Sequence, residues 1–553
     1  MAASAGISMA QVVTTDPVNP EADDTVTITY NAALGNGALS GISPVYIHTG
    51  VITDQSIDDT DWKHVVFTWG TADPAAQMES LGNNLHRFTY HIKSFYSIPD
   101  SEIVYKMAFV FRNADGTIVG RESDGSDIFI NLTIPGDLPP GVEDGINYID
   151  DSTVTLVLYA PGKDHVHLIG DFNDWQASSE WLMNETLDEK RFWIELTGLV
   201  PQKEYRFQYL VDDELYIPDP YAEKFLDPEF DIEIDHYTYP NLITYPTGSA
   251  SGKVSVFQTA KPDYTWEVTS FQKPDNRDLV IYELLPRDFA EGHTFKDIKA
   301  KMNHFAELGI NAIELLPVME FRENSSNWGY ETEFHFAVDK YLGTSVELKE
   351  LIDEAHSRGI AVILDVVLNH VFEANSMVQL YWDDVNNKPS VNNPWFNTDA
   401  PHAYSIGYDY DHQSLLTQNY VKRVLSFWLD EYNADGFRLD LSKGFTNNWT
   451  LDTNDIWTSV INWNHYDAWR VNYLKSLADY VWSGHPGSYM ILEHFADNDE
   501  DTELANYGFM MWENGTYEMR PAIQGWTAQN TDFSWGVSYQ ARGWQFHNLI
   551  GYM

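Results

Sequence analysis

A change of rhythm near residue 278 constrains this chain more than any other feature of its sequence. From there, apolar strands alternate with amphipathic helices: strands near Ile281 and Ile313 are each followed by a predicted helix, over 295–308 and 345–358. Strands without polar alternation are typical of parallel sheets covered by helices on both faces. Further strands are predicted at 360–367, 436–440, 489–493, 507–511 and 548–553. At this length the pattern favours an α/β barrel of the TIM (β/α)8 type.

Three of these strands end in polar groups at the rim where barrel enzymes carry their chemistry. Asp365 and His370 close the third strand, Asp440 closes the fourth, and Glu493 closes the fifth. Arg438 lies two residues before Asp440, on the same face of the strand, where its charge keeps the carboxylate ionised and oriented. Two carboxyl groups about 5 to 5.5 Å apart form the pair of a retaining glycosidase. The spacing predicts Asp440 as nucleophile and Glu493 as general acid and base, with the pKa of Glu493 raised by apolar neighbours.

Three segments resemble the first three conserved regions of the alpha-amylase family, glycoside hydrolase family 13: DVVLNH at 365–370, DGFRLDLSKG at 435–444 and ILEH at 491–494. In addition, Trp328-Gly-Tyr330 is similar to the family segment whose tyrosine stacks on the sugar at the cleavage point.

The resemblance implies roles for the residues around the carboxylates. Tyr330, His370 and Arg438 would contact the sugar in the cleavage subsite, Lys443 would border the next subsite, and Asp365 would brace the rim. A structural calcium ion is also implied, with Asn369 as a ligand, although an asparagine there could equally cap a turn. No organic cofactor is expected.

Two departures from the family pattern bear on the site. Gly444 follows Lys443 where many alpha-amylases carry histidine, so the subsite beyond the bond is left undefined. The His-Asp pair of the family's fourth conserved region is absent, and the chain ends at Gly551-Tyr-Met553, about where that region should begin. We therefore expect a fragment whose barrel is incomplete at its C-terminal end, after about seven strands. The 553-residue polypeptide is predicted to have little hydrolytic activity and to aggregate through unpaired strand edges.

Short alternating strands separated by turn signals fill the part of the chain before the barrel. They predict two immunoglobulin-like β-sandwiches, over 10–133 and 142–246, separated by the linker 135–141, with the catalytic barrel over 270–553.

Aromatic residues in these sandwiches suggest carbohydrate binding. Gly170-Asp-Phe-Asn-Asp-Trp175 resembles the starch-associated module of branching and debranching enzymes, carbohydrate-binding module family 48. The first sandwich, with Trp62 and Trp69, is more weakly similar to other starch-binding modules. Exposed indoles could stack on sugars, but Trp62 and Trp69 fit the sandwich core better, and Trp175 could simply shape a turn.

Charge and composition narrow the choice of partner and compartment. The chain has 33 Lys and Arg against 83 Asp and Glu, a formal charge of −50, which disfavours nucleic acid and anionic membranes. The absence of cysteine excludes disulfides and cysteine-bound zinc. The sequence contains no stretch of about 18 apolar residues, so no transmembrane span is predicted. The start, MAASAGISMAQ, is not an intact signal peptide, and we expect a mature bacterial protein that is secreted, periplasmic or on the cell surface, and monomeric.

The acidic run Asp497-Asn-Asp-Glu-Asp501 could attract calcium, but it lacks the glycine and the terminal glutamate of an EF-hand loop. It is therefore predicted to be an exposed loop.

Three functions fit the combined pattern. The first is a retaining, endo-acting α-1,4-glucan hydrolase on starch, glycogen or maltooligosaccharides. A glucan branching or debranching enzyme is the first alternative, because the second module occurs in those enzymes too. A non-catalytic starch-binding surface protein is the alternative from a different class, and the presence of both Asp440 and Glu493 argues against it.

Overall fold

The computed structural model describes residues 12–17, 20–99, 102–132, 138–322, 328–452, 454–513 and 549–551. The chain divides into two compact units, one of residues 1–143 with 184–193, the other of residues 144–183 with 194–553. Within the described residues, no helix combines the length and the apolar character needed to cross a membrane.

The first unit is a β-sandwich. One sheet runs in the order Val13–Asp16, Thr25–Asn31, Leu85–His91, Glu79–Gly82; the other contains Tyr46–Thr53, Val104–Arg112, Val119–Gly120 and Ile128–Asn131. A short helix, Ile92–Tyr96, and a 3-10 turn, Pro74–Ala76, connect strands. Thr25–Asn31 alternates between buried and more exposed residues, because one face of the strand packs on the core and the other meets solvent. Val26, Ile28, Phe109 and Phe111 are among the buried core residues.

The second unit begins with a further set of antiparallel strands. Its main sheet has the order Val166–Gly170, Glu204–Val211, Val254–Gln258, Phe225–Leu226, with Leu215–Ile217 paired to Glu204–Val211. Gly145–Asp150 and Thr153–Tyr159 form a hairpin. The strand Asn184–Glu185 pairs with Arg191–Leu196, and residues 184–193 of this pair are grouped with the first unit. Short 3-10 turns occupy Ser179–Trp181 and Asp231–Glu233.

Among the residues that the structure describes, the rest of the second unit is built on one parallel sheet of seven strands. In sheet order, which is also sequence order, these barrel strands are Ile281–Leu284, Ala312–Leu315, Ala361–Val366, Gly436–Leu439, Tyr489–Glu493, Met510–Glu513 and Leu549–Gly551. The predicted fold class is confirmed: N-terminal β-rich domains are followed by a TIM-type catalytic domain, whose described residues form a curled sheet of parallel strands consistent with part of a barrel. The outer residues of the predicted last strand, 548 and 552–553, lie outside the described residues.

Helices and small hairpins connect the barrel strands. The helices are Pro286–Phe289, Phe295–Lys299, Met302–Leu308, Ser345–Ser357, Ser376–Gln379, Leu415–Tyr432, Ile456–Asn464, Ala468–Gly484 and Asn498–Tyr507, with 3-10 turns at Asn276–Asp278, Lys340–Leu342 and Ser442–Gly444. The hairpins pair Met319–Phe321 with Thr332–Val338, His370–Val371 with Tyr408–Asp409, and Trp382–Asp383 with Lys388–Pro389.

Two local predictions differ from the structure. The helix predicted over 295–308 is two helices, interrupted at Lys301, whose φ of −99° and ψ of 8° leave the helical region. The acidic run predicted as an exposed loop instead opens the helix Asn498–Tyr507, which moves the following strand to Met510–Glu513. Acidic side chains in a first turn favour the positive end of the helix dipole, so the run that resembled a solvated loop is a helix start.

Candidate functional site

Arg438 is the centre of the polar cluster at the carboxyl end of the barrel strands. Its Nη1 donates to Asp440 Oδ1 at 2.7 Å and to Asp365 Oδ1 at 2.9 Å. Its Nη2 lies 3.0 Å from Glu493 Oε2. Because the register aligns Asp365 with Arg438 on neighbouring strands, three strand ends contribute carboxylates to one guanidinium. The side chain of Arg438 is only 3% exposed, so these ion pairs form in a weakly screened environment.

The two predicted catalytic carboxyls face each other across this guanidinium. Asp440 is additionally held by Asn369, whose Nδ2 donates to Asp440 Oδ2 at 3.1 Å and to its backbone carbonyl at 2.9 Å. Their side chains remain partly open, 13% exposed for Asp440 and 19% for Glu493, whereas the arginine beneath is covered. The predicted pair is therefore brought together at a small opening.

A strained turn positions Glu493. Leu441, directly after Asp440, adopts a left-handed conformation with φ of 41° and ψ of 43°, which is uncommon for a residue other than glycine. In this conformation its backbone N–H donates to Glu493 Oε2 at 3.0 Å. Burial raises the pKa of Glu493, Arg438 opposes the rise, and the charge and hydrogen bonding of Asp440 raise it further. The apolar residues that precede Glu493 in the sequence predict this rise in its pKa through burial.

The buried side chains of Asp365 and His370 and the half-buried side chain of Tyr330 surround these groups. Tyr330 donates its hydroxyl to Asp365 Oδ2 at 2.7 Å, and His370 Nε2 lies 2.9 Å from the Tyr330 backbone carbonyl. Burial raises the pKa of Asp365 to about 7 despite the opposing charge of Arg438. Burial also lowers the pKa of His370, which favours the neutral imidazole.

Lys443 lies apart from this cluster. Its Nζ donates to Asn464 Oδ1 at 2.7 Å and to the Phe495 carbonyl at 3.2 Å, and it sits 4.2 Å from the centre of the Trp463 ring. Burial lowers the pKa of Lys443 to about 8, helped by the charge of Arg470. Lys443, the predicted subsite residue, is thus only 5% exposed, and its ammonium group bonds to the loop behind the carboxylates.

Gly444 is explained by a close approach. A Cβ at this position would lie 3.2 Å from His402 Nε2 and 3.4 Å from the Asn369 Cβ. His402 itself stacks on Trp463 with ring centres 4.4 Å apart and contacts Asp409. The space that a side chain at 444 would need is therefore filled by a histidine from another segment, Pro401 to Asp409.

Sequence reasoning missed two carboxyls inside the barrel, Glu283 and Glu314. They face one another in the register of the first two strands, on the face that carries Asp365 two residues farther along the third strand. Burial raises the pKa of Glu314 to about 8, and the charge of Asp365 adds to the rise. Burial also raises the pKa of Glu283. The available signal in the sequence was a glutamate inside each of two otherwise largely apolar strands.

A second buried cluster lies behind the fifth strand, and sequence reasoning missed it as well. Ser442 Oγ contacts His494 Nδ1 at 2.9 Å, and His494 Nε2 lies 2.7 Å from Glu500 Oε1. Arg470 closes the chain with Nε 2.6 Å from the same oxygen and Nη2 2.8 Å from Glu500 Oε2. Glu500 belongs to the acidic run predicted as an exposed loop; that prediction is wrong because Arg470 and His494 compensate its burial.

The tryptophans singled out in the sandwiches have different surroundings. Trp69 is 44% exposed and Trp62 is half-buried, so neither is in the sandwich core as the sequence favoured. His48 contacts both rings, with ring centres 6.2 Å from Trp62 and 5.0 Å from Trp69. Trp175 packs against the buried cluster that contains Leu226, and its Nε1 donates to Asp171 at 3.3 Å. Its indole therefore stabilises the turn of its own motif.

The side chain of Asn369 is already engaged at both polar ends. Its Nδ2 donates to Asp440, and its Oδ1 contacts His370 Nδ1. A calcium ion at Asn369 would have to displace the histidine from that oxygen, so the residues around it do not form a ready oxygen cage. Calcium at this position stays a prediction.

Three family matches cover most of the chain. Residues 268–408 match the alpha amylase catalytic domain, and residues 145–222 match carbohydrate-binding module 48, the isoamylase N-terminal domain. Residues 13–119 match a domain of unknown function, DUF8578.

The chain is similar to several relatives over part of their length. The chain is 29% identical over 294 residues to a malto-oligosyltrehalose trehalohydrolase of Saccharolobus solfataricus, covering 53% of this chain and 44% of the relative. It is 31% identical over 219 residues to the chloroplastic isoamylase 1 of Arabidopsis thaliana, covering 33% and 27%. A 1,4-alpha-glucan branching enzyme, GlgB, of Aquifex aeolicus is 28% identical over 305 residues, covering 52% and 43%. The matches thus span less than half the length of these relatives.

A solved structure supports the fold. A candidate alpha amylase from Salmonella typhimurium superposes with a TM-score of 0.52 at 21% sequence identity, covering 72% of this chain and 59% of that chain.

Proposed function

Because this chain carries an alpha-amylase catalytic domain of glycoside hydrolase family 13 and a carbohydrate-binding module 48, we propose that it cleaves α-glucans with retention of anomeric configuration. The proposed bond is the α-1,4 linkage of starch, glycogen or maltooligosaccharides, attacked within the chain. One observation carries the proposal: Arg438 holds Asp440 and Glu493 on adjacent strand ends, at 2.7 and 3.0 Å, with both carboxyls partly open.

In the proposed first step, a carboxylate oxygen of Asp440 attacks the anomeric carbon as the glycosidic C–O bond breaks. Glu493 gives its proton to the departing oxygen, and a covalent glycosyl ester on Asp440 results. The environments of the two groups suit these roles. Arg438 and Asn369 both donate to Asp440, which fixes the orientation of its carboxyl oxygens, whereas burial raises the pKa of Glu493 and keeps a proton available.

In the second step, Glu493 takes a proton from water, whose oxygen attacks the anomeric carbon and releases Asp440. A sugar hydroxyl in place of water would give transfer instead of hydrolysis. Arg438 and Asp365 are 3% and 1% exposed, and we propose that Arg438 acts by orienting Asp440 and Glu493 while Asp365 holds Arg438 in place. Tyr330 and His370 are proposed to border the cleavage subsite, and Lys443 the next.

Cleavage or formation of α-1,6 links is the second candidate. The module at 145–222 is described as an isoamylase N-terminal domain, and the similar proteins include an isoamylase and branching enzymes. The carboxylate chemistry is the same for either linkage, so the geometry of Asp440 and Glu493 does not favour one of them.

Covalent trapping tests the catalytic assignment. An α-glucosyl fluoride carrying a second fluorine at ring carbon 5 reacts readily with a nucleophile but hydrolyses slowly afterwards. We expect one glucosyl group per chain, on the peptide that contains Asp440, and no label in Asp440→Asn. A label on another residue would refute Asp440 as the nucleophile, whereas no label on the unsubstituted chain would agree with the low activity predicted for the 553-residue polypeptide.

Product analysis then separates the candidate reactions. Amylose, pullulan and glycogen are incubated with the chain, and new reducing ends and α-1,6 anomeric protons are followed by NMR. Reducing ends from amylose alone support the α-1,4 hydrolase, loss of α-1,6 signals supports debranching, and their gain supports branching. If substitution of Asp440 and Glu493 changed nothing in the full-length protein, which bound glucan without forming any product, a non-catalytic binding protein would be favoured.

The binding partner, cellular compartment, oligomeric state and calcium requirement of the protein are predicted from the sequence alone. An α-glucan is the proposed partner, consistent with the two matched domains. Action outside the cytoplasm, a monomeric state and a calcium requirement stay predictions.

A further inference from the structure

A group of three metal-ligating side chains lies in the second sandwich, far along the sequence from the catalytic residues. His165, His167 and Asp213 each offer a ligand atom, and these atoms all lie within 4.8 Å of one another. His167 belongs to the strand Val166–Gly170, and His165 immediately precedes that strand. Residues two apart project from the same face of a strand, so the two imidazoles are presented side by side.

The turn that carries Asp213 is tied to the same strand. Glu204–Val211 pairs antiparallel with Val166–Gly170, and the turn follows Val211 directly. The Asp212 N–H donates to the His165 carbonyl at 3.0 Å, and the His165 N–H donates to Asp212 Oδ1 at 3.2 Å. These backbone contacts hold the carboxylate of the next residue, Asp213, over the two histidines before any ligand binds.

The two His–Asp distances in the group are similar to the edges of a zinc coordination polyhedron, and the three ligand atoms all lie within 4.8 Å of one another. His165 Nε2 lies 3.2 Å from Asp213 Oδ2, and His167 Nδ1 lies 3.5 Å from Asp213 Oδ1. Two ligands at about 2.0 to 2.1 Å from a tetrahedral ion are about 3.3 to 3.4 Å apart. An ion can therefore enter without large movement of the side chains.

Burial and unsatisfied hydrogen bonding also point to a ligand. The side chains of His167 and His165 are 14% and 33% exposed, and that of Asp213 is 65% exposed, so the group is anchored on one side and open on the other. His167 Nδ1 is a buried atom without a hydrogen-bond partner among the described residues. A buried nitrogen in this state costs free energy, and a coordinated metal would satisfy it.

We propose that His165, His167 and Asp213 bind one Zn²⁺ or a similar borderline divalent ion, with water completing the coordination. Two imidazoles and one carboxylate suit zinc, whereas Ca²⁺ and Mg²⁺ prefer oxygen ligands. The nearby positive charge, Lys163, lies 3.9 Å from Asp212 Oδ2, which partly neutralises it. The ion would link the strand Val166–Gly170 to the turn after Val211 and stabilise the sandwich, independently of the reaction at Asp440.

Zinc titration of the 553-residue chain, freed of any polyhistidine tag, tests the proposal. Isothermal titration calorimetry is expected to show one equivalent of Zn²⁺ bound, and zinc is expected to raise the melting temperature. The double variant His165→Gln/His167→Gln should lose the binding by at least about tenfold in affinity, a loss of about 1.4 kcal/mol. His304→Gln, an exposed histidine on the helix Met302–Leu308, is the matched control and should bind as the unsubstituted chain does.

Two further readouts keep the test decisive. Co²⁺ in place of Zn²⁺ should give the visible absorption of a tetrahedral site, lost in Asp213→Asn, whose circular dichroism should match the parent. The proposal is overturned if zinc fails to bind, if the double variant binds it as tightly as His304→Gln does, or if Ca²⁺ raises the melting temperature as much as Zn²⁺ does.

Discussion

Replacing Glu314 with glutamine should make the protein more stable, by an amount that grows with pH. Glu314 is 1% exposed inside the barrel, and its Oε1 has no hydrogen-bond partner among the described residues. Burial raises its pKa to about 8, and the charges of Asp365, Glu283 and Glu493 add to the rise, opposed by Arg438. The folded protein therefore holds a proton on Glu314 that the unfolded chain releases near pH 4.5.

The size of the effect follows from this difference in pKa. A group whose pKa is higher in the folded state contributes its full stability below the unfolded value, and that contribution is lost as the pH rises toward the folded value. With one pKa unit worth about 1.4 kcal/mol, a rise from 4.5 to about 8 removes about 3 to 4 kcal/mol between pH 5 and pH 8. Glutamine has nearly the same shape and never ionises, so it avoids this loss.

Urea unfolding at pH 5, 6, 7 and 8 measures the difference between Glu314→Gln and the parent, followed by tryptophan fluorescence. We expect nearly equal stability at pH 5 and an advantage of about 3 kcal/mol for the variant at pH 8. Glu307→Gln, an exposed position on the helix Met302–Leu308, should show no such trend. Parallel curves for Glu314→Gln and the parent, or a variant less stable at every pH, would refute the argument from burial.

Three other substitutions probe the buried ion pairs. Arg438→Met should destabilise the barrel by about 3 to 5 kcal/mol in urea unfolding, because it leaves three carboxylates without their shared cation. The control Arg358→Met removes one half-exposed helical ion pair and should cost less than about 1 kcal/mol. Lys253→Met should cost a similar 3 to 5 kcal/mol, roughly, by leaving three buried carboxylates without their shared ammonium; Lys253→Arg should recover part of the loss, and equal losses would contradict a charge effect. Hydrogen bonds from His494 and Arg470 overcome burial and lower the pKa of Glu500 to about 2, so its contribution is present above pH 4.5 and lost as the pH falls toward 2. Glu500→Gln should therefore lose about 3 kcal/mol at pH 7 and converge with the parent near pH 2 in acid unfolding; a constant difference would count against it.

Local sequence alone determined where the barrel strands lie along the chain and that Arg438 and Asp440 share one face of their strand. Both follow from short-range geometry: apolar runs predict buried strands, and side chains two apart share a face. The motif around 365–370 likewise places Asn369 and His370 correctly at the end of the third strand, because strand ends lie at one rim of the barrel.

Only the tertiary structure decided how charges separated along the chain meet and whether water reaches them. In the local sequence Glu314 is one charged residue in an apolar strand. Its neighbours Glu283 and Asp365 come from other strands. Glu500 reads as part of a solvated acidic run, but Arg470 and His494 enclose it. Burial and long-range ion pairing depend on contacts between many segments, so no single stretch of sequence determines them. Strand periodicity, in contrast, is a property of each stretch by itself.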